Sequence, residues 1–446
     1  MILIHNAIKK DRTQMKKYYL GIDIGTTSIC ALALSADGET LAALNRPNSS
    51  AIANDKPFAR MQNPEKILDT AYSLIGEIKN RLGEPAAIGV TGQMHGIVYI
   101  DSEGNAVSPL YTWQDARGAQ SMESGETYVS HINRITGYRT AAGYGLVTHF
   151  FNMLNGEVPE TAKKLCTIHD LLAMKLAGLS SPIIHASDAA SLGLYDLAHD
   201  RFDTSALNPL GINASILPEV TADSAPIGTY GAAPVYPAIG DNQASFLGSV
   251  GGEEGALLIN IGTGSQVSMI GTLRDSNNGI ECRPFIGGKH LLVGSSLCGG
   301  RAYAILEKFF RSVANMCGAS IDSAYPFMDK MMNEYRGCGT LKVSTLFDGT
   351  RDDPDIRGSI CGISTDNLQP AELMDGFMRG IANELYTLYR SMGDGCEYKK
   401  LVGSGNGLRV NPYLCRVIEE TFGAPLTLSQ SREEAALGAA RFAGGK

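Results

Sequence analysis

The chain has 446 residues, 44% of them apolar and 19% charged, enough to bury more than one core and too apolar for a disordered protein. A net charge of -8 without any basic stripe argues against a protein that grips nucleic acid by its phosphates. The nine cysteines are scattered with no Cys-x-x-Cys pair, which sets aside a disulfide frame and a zinc site and points to reduced thiols in a cytoplasmic protein.

In chain order, Met1–Ile4 is apolar and is followed by Lys9, Lys10, Arg12, Lys16 and Lys17. A secretory leader has the reverse order, so residues 1–17 read as a loose extension, with Met15 as an alternative first residue. Nowhere do roughly 18 apolar residues run together, so no membrane span is expected. Tyr18, Tyr19 and Leu20 lead into Gly-Ile-Asp-Ile-Gly-Thr-Thr-Ser at 21–28, and Ile29 to Leu34 is a second apolar run. Gly25, Thr26, Thr27 and Ser28 therefore form the tip of a β-hairpin whose backbone amides make a nest for an oxyanion, phosphate above all. Asp23 beside such a nest makes sense if a divalent cation, Mg²⁺, lies between acid and phosphate. The plain alternative is an ordinary hairpin with an exposed acid.

Glu39–Asn45 predicts a third strand. Asn63-Pro64-Glu65 opens a helix whose apolar residues run from Ile67 to Leu82 and which Gly83 closes. The short strand Ala86–Thr91 delivers Gly92-Gln93-Met94-His95-Gly96, where loops at strand ends meet ligands. Tyr111 to Arg117 holds the only tryptophan, Trp113, beside Gln114 and Asp115. Gln93, His95, Trp113, Gln114 and Asp115 form a sugar-binding set of amides, a carboxylate, an imidazole and an aromatic face. The competing reading is a core tryptophan next to a surface Asp115–Arg117 pair.

From 120 to 225 the pattern is helical and mixed, clearest over Thr161–Ala177, and shows no chemistry. Pro226–Pro237 reads as a connector to Gly240-Asp241-Asn242-Gln243, where an acid on a glycine turn suits a general base or a helix cap. Leu257 to Ser265 then repeats the first hairpin as Leu-Leu-Ile-Asn-Ile-Gly-Thr-Gly-Ser, with Asn260 in the place of Asp23. Two such hairpins across a cleft would clamp a nucleotide. Leu346–Gly362 is a long polar loop, Pro370–Met392 a long helix, and Lys400–Val402 a strand into Gly403-Ser404-Gly405-Asn406-Gly407. Helices from Asn411 and over Arg432–Phe442 complete the chain.

Taken in order, GIDIGTTS, GQMHG, TWQDAR, GDNQASFLG, INIGTGS, GTRDDPDIRG at 349–358 and GSGN with Asn411 resemble the FGGY carbohydrate kinases of the actin/hexokinase ATPase superfamily. The resemblance implies an α/β protein of two ribonuclease-H-like domains, divided at 244/245, that close on ATP·Mg²⁺ and a sugar. Residues 18–244 would bind the sugar and the first phosphate, and 245–446 the nucleotide. It implies Asp241 as catalytic base and Met94, His95, Asp115 and Asn242 toward the sugar. Gly262, Thr263, Gly264 and Ser265 would meet phosphate along with Thr26 and Thr27, Gly403, Gly405, Asn406 and Asn411 would meet adenine, and Asp23 would hold Mg²⁺ through water.

GQMHG is typical of ketose kinases, and the TWQD and GTGSQ versions look closer to sedoheptulokinases than to xylulokinases. The expected reaction is phosphoryl transfer from ATP to a terminal hydroxyl of a ketose, with a homodimer left open and no nucleic-acid or membrane partner. A non-catalytic sugar sensor of the same fold is the alternative of another class; loss of Asp23 or Asp241 would mark it, and both are present.

Overall fold

The computed structural model describes residues 16–274, 279–337, 339–350, 353 and 355–445. The expected extension lies outside the described residues over 1–15, as do Arg351, Asp352 and Pro354 of the polar loop. The chain forms two compact units. One runs to Gly252 and takes in Pro284–Gly288 and the segment from Glu433, and the other comprises Glu253–Arg283 and Lys289–Arg432.

In the first unit β1 (Tyr18–Ile24), β2 (Ser28–Ser35) and β3 (Thr40–Pro47) form an antiparallel meander. Helix α1 (Pro64–Leu82) starts as the sequence predicts: Asn63 accepts from the Lys66 amide, Pro64 takes the first turn and Gly83 ends it at φ 80°. Its Ile67, Leu68, Ala71, Leu74, Ile75 and Ile78 are buried in the main core of this unit. Strand β4 (Ala87–Gly92) then pairs parallel to β1.

The stretch read as one helix from Thr161 is a short strand, Lys164–Cys166, followed by α2 (Ile168–Leu176). Thr167 and Asp170 close a capping box that fixes this start. The supposed connector is structured as well: β5 (Gly228–Tyr230) and β6 (Ala233–Val235) extend the sheet to the order β5-β6-β4-β1-β2-β3, while β7 (Ile239–Gly240) also pairs with β4. Helix α3 (Asp241–Val250) continues past 244/245, so the division expected there falls inside a helix.

The second unit repeats the plan. Strands β8 (Ala256–Ile261) and β9 (Ser265–Gly271) form the second hairpin. The sheet reads β10 (Ile280–Pro284), β11 (His290–Ser296), β9, β8, β12 (Lys400–Ser404), β13 (Leu426–Leu428). As in the first unit, a meander (β11-β9-β8) is joined by a parallel strand, β12, on its first member. Helices α4 (Gly300–Met316), α5 (Pro370–Ser391) and α6 (Pro412–Phe422) belong to this unit.

The last helix, α7 (Glu434–Ala443), does not. It belongs to the first unit, against β1, β4 and α3. Bare backbone makes this possible: a Cβ on Gly248 would lie 1.8 Å from the Glu434 carbonyl oxygen, and one on Gly438 1.8 Å from that of Ala244. Arg441 of α7 donates to the Leu247 and Gly248 carbonyls and so satisfies the C-terminal end of α3.

Candidate active site

In the first unit the chemistry gathers at the carboxyl ends of three parallel strands. Asp23 pairs with Thr91, Gly92 ends β4, and Gly240 pairs with Gly92 and hands the chain to Asp241. Thr91 ties this register by donating to the Ile239 carbonyl over 2.7 Å. Asp241 is the first residue of α3, whose N-cap is Gly240, so the helix-cap alternative for Asp241 and Asn242 does not hold. Burial first, then the charges of Asp241 and Glu433, push the Asp23 carboxyl up to about 7, while His169 pulls it down.

Two like charges held in mutual range at strand ends need a cation to be comfortable. Mg²⁺ takes one or two carboxylates, substrate phosphates and several waters, and among the described residues no group of three or more acidic, Cys or His side chains competes for it. Asp23 beside the Gly25–Thr27 turn fits that donor set.

The turn itself is braced from outside. Asn48 donates through its side chain to the Gly25 carbonyl over 2.9 Å and through its amide to the Thr27 carbonyl over 2.9 Å, and Ser28 begins β2. Thr26 joins the turn to the aromatic cluster: the Trp113 indole donates to the Thr26 hydroxyl over 3.0 Å. Trp113 is 47% exposed, so it is not a core tryptophan, and Gln114 beside it is exposed too. Gln93 is buried and bonded to Thr26, and Met94 lies against Gly240, where a Cβ would meet its Sδ at 2.8 Å.

His95 adopts φ 73°, a left-handed backbone uncommon for a side chain with a Cβ. Its amide donates to the Ser191 hydroxyl, its Nδ1 lies 2.7 Å from the Ser191 carbonyl, and its ring stacks on Tyr144 with centroids 4.5 Å apart. Nδ1 is thereby the protonated nitrogen of the neutral ring.

Asp115 is placed differently from the rest. Its side chain is buried, one oxygen accepts from the Arg117 amide and Nε, and the other accepts from Arg117 and from the Arg60 amide. Arg117, itself 2% exposed, lies with its guanidinium 4.1 Å from the Tyr111 ring centroid and also reaches Asn152 and Glu157. The Asp115–Arg117 pair is therefore internal, not a surface pair, and it braces the loop that carries Trp113.

The segment read as devoid of chemistry supplies a buried polar chain. His169 Nε2 lies 2.8 Å from Asp188 Oδ2, Asp188 accepts from the Ser191 hydroxyl, and Ser191 holds His95. Ser187 accepts from the Gly240 amide through its hydroxyl and from Gln243 through its carbonyl, so the same short segment steadies the approach to Asp241. The signal available in the sequence was the Thr-x-x-Asp capping box at 167–170; the pairing with Asp188 carries no local signature.

In the second unit Gly262, Thr263 and Gly264 form the tip of the repeated hairpin and Ser265 begins β9. The start of α4 packs directly on this tip: the Gly300 amide donates to the Gly262 carbonyl and the Arg301 amide to the Thr263 carbonyl, and a Cβ on Gly300 would lie 2.4 Å from the Gly262 oxygen. Arg301 also pairs with Asp348 at 2.9 Å. The Gly299-Gly300-Arg301 triplet was not singled out from sequence, although its glycine doublet marks such a close approach. Asn260, which stands in this copy where the first hairpin has Asp23, donates through its side-chain amide to the Ser404 hydroxyl over 2.7 Å.

Gly403 lies buried on β12, Gly405 takes φ 87° with no room for a Cβ beside the Ile261 carbonyl, and Asn406 starts the next short helix. Asn411 is the N-cap of α6, its side chain accepting from the Leu414 amide over 2.9 Å. The bare faces of Gly403, Gly405 and Gly407 meet Leu408, Leu428 and Ile261, so close packing accounts for these glycines.

Comparison with known proteins bears on the family and the fold. The FGGY family of carbohydrate kinases, N-terminal domain, matches residues 18–248, and its C-terminal domain matches 258–445. The chain is 26% identical to human (Homo sapiens) sedoheptulokinase over 94% of this chain and 96% of the relative, and 23% identical to the xylulose kinase of Staphylococcus xylosus over 96% and 90%. Among solved structures, the xylulose kinase of Rhodospirillum rubrum superposes with a TM-score of 0.81 at 21% identity, covering 96% of this chain and 91% of that one. Plasmodium falciparum glycerol kinase with ADP gives 0.80 at 20% identity, covering 96% and 89%.

Proposed function

We propose that this chain, which belongs to the FGGY family of carbohydrate kinases, phosphorylates the terminal primary hydroxyl of a ketose, sedoheptulose before xylulose. The observation that carries the reading is the pair Asp23 and Asp241 at the carboxyl ends of the two strands that flank β4, beside the Gln93–His95 loop and the exposed Trp113. The preference for sedoheptulose is supported by the human relative and by the Thr-Trp-Gln-Asp and Gly-Thr-Gly-Ser-Gln segments.

The sugar lies on the Trp113 face with hydroxyls toward His95 Nε2 and Gln114. Asp241 accepts a hydrogen bond from the terminal hydroxyl and orients its oxygen toward the γ-phosphorus of ATP. The new O–P bond forms as the bond to the β–γ bridging oxygen breaks, the proton passes to Asp241, and ADP leaves. Because the transition state is loose, proton removal is late and an ordinary carboxylate suffices. In the first unit the Gly25–Thr27 amides offer a nest for phosphate; in the second unit, taken by itself, Gly262–Ser265 offer another, and Gly403, Gly405, Asn406 and Asn411 are the residues proposed for the base. Mg²⁺, held by Asp23 through water, would offset phosphate charge. The free and mostly buried cysteines among the described residues fit a reducing, cytoplasmic setting.

The test is ADP release with sedoheptulose, xylulose, ribulose, fructose and glycerol at matched concentrations. The highest kcat/KM is expected for sedoheptulose. Turnover confined to glycerol would overturn the ketose reading, and none with any sugar despite intact ATP binding would favour a sensor.

A further inference from the structure

We propose that Gln62 and Thr26 form a positioning relay that couples the sugar face to the phosphate turn, with the Thr26 side chain serving this relay and not the phosphate. The proposal rests on the sugar-kinase reading above and adds to it a residue, Gln62, that touches neither substrate.

Four hydrogen bonds carry it. The Thr26 hydroxyl accepts from the Trp113 indole over 3.0 Å and donates to Gln93 Oε1 over 3.3 Å. Gln93 Nε2 donates to Gln62 Oε1 over 2.8 Å, and Gln62 Nε2 donates to the Thr26 carbonyl over 2.9 Å. The last three close a ring through Thr26, Gln93 and Gln62, with both glutamines buried. A hydroxyl has one proton to give. While that proton lies on Gln93, the Thr26 oxygen shows only lone pairs to a phosphate oxygen, which is repulsive. The turn thus contributes amides and the exposed Thr27, and Thr26 is held for another purpose.

Gln62 is well placed to set that geometry. It sits on the two-residue strand Met61–Gln62, paired with Leu110 of the strand that leads into the Trp113 loop. A sugar resting on Trp113, whose indole donates to the Thr26 hydroxyl, therefore presses on the same atoms that orient the Thr26 carbonyl and hydroxyl. Sugar binding and phosphate alignment become one event, and ATP without sugar meets a misaligned turn.

The experiment compares Gln62→Met, which keeps volume and removes both bonds, with Thr26→Val and Thr26→Ser. Gln62→Met and Thr26→Val should each raise the sugar KM about tenfold, the size of a buried neutral hydrogen-bond loss, and raise ADP release without sugar relative to turnover with it. The ATP KM should stay within about twofold, and Thr26→Ser should restore wild-type behaviour. A rise in ATP KM at unchanged sugar KM in Thr26→Val would make Thr26 a direct phosphate ligand and overturn the relay. A Gln62→Met protein altered only in melting temperature would also overturn it. Should Gln62→Met not fold, the Val/Ser pair at Thr26 decides. Absence of sugar-dependent ADP release in the wild-type protein would instead remove the kinase reading on which the relay stands.

Discussion

His169 Nε2 lies 2.8 Å from Asp188 Oδ2, and both side chains are fully buried. Burial opposes the imidazolium, but Asp188, Asp170 and Asp241 overcome it and His169 titrates at about 9. Burial likewise opposes the Asp188 carboxylate, and His169, Thr167 and Ser191 hold it below its usual range. For His169 the folded value stands above the unfolded 6.5, so its stabilisation is complete below 6.5 and disappears as pH climbs through about 9. For Asp188 the folded value is depressed, so its share is lost only in acid. Melting temperature should therefore fall between pH 6.5 and 9 more steeply in the wild-type protein than in His169→Gln. Parallel curves would show that the pair is neutral across this range. Asp188→Asn, which strands the imidazole, should cost about 3–5 kcal/mol.

The two hairpins were legible because a Gly-Thr turn between apolar runs is a local pattern, and α1 because its cap, proline and terminal glycine all lie within the helix and its flanks. The His169–Asp188 pair was not. It joins the first turn of α2 to a four-residue helix at Ala186–Ala189, and only the tertiary fold brings the two together. The strands β5 and β6 hid behind proline and glycine: Pro234 sits opposite Thr229 near the sheet edge, where a missing amide does little harm. The return of α7 to the first unit was visible only as small residues at 438 and 248, with no indication of which small residue meets which.

Asp115 and Trp113 stand two residues apart and should fail in different ways. Asp115 keeps both oxygens on Arg117 and the Arg60 amide, so Asp115→Ala leaves a buried guanidinium short of a partner and should cost about 3–5 kcal/mol of stability. Trp113→Leu removes a half-exposed face, leaves the melting temperature within about 2 °C, and raises the sugar KM at constant ATP KM. Thermal melts and initial rates on the two variants separate the roles; unchanged stability in Asp115→Ala would return that carboxylate to the sugar.

Two helical glycines give an opposite pair of outcomes under the same substitution. A Cβ at Gly248 would sit 1.8 Å from the Glu434 carbonyl oxygen, so Gly248→Ala must push α3 and α7 apart and should cost about 3 kcal/mol or more. Gly76 in α1 has nothing within 4 Å of such a Cβ, and Gly76→Ala should stabilise by about 0.4–1 kcal/mol through the unfolded chain. Urea midpoints of both variants test the packing of α7. Equal effects would mean that α7 does not rest on bare backbone.

Asp23 and Asp241 act on each other, and that coupling separates base from cation holder. Asp241→Ala should keep ATP binding and lower kcat at least ~10²–10³-fold, the range for losing a positioned general base. Burial does most to push the Asp23 carboxyl up to about 7, and the substitution removes the Asp241 charge that adds to it, so Asp23 ionises more readily and less Mg²⁺ should be needed for half-maximal ATP binding. Asp23→Asn should do the reverse, raising the Mg²⁺ requirement for binding. The readout is nucleotide affinity titrated with Mg²⁺, taken beside single-turnover rates. A shift in the Mg²⁺ midpoint of the same sign in both variants would contradict the division of labour, and near-normal kcat in Asp241→Ala would remove Asp241 from the base role.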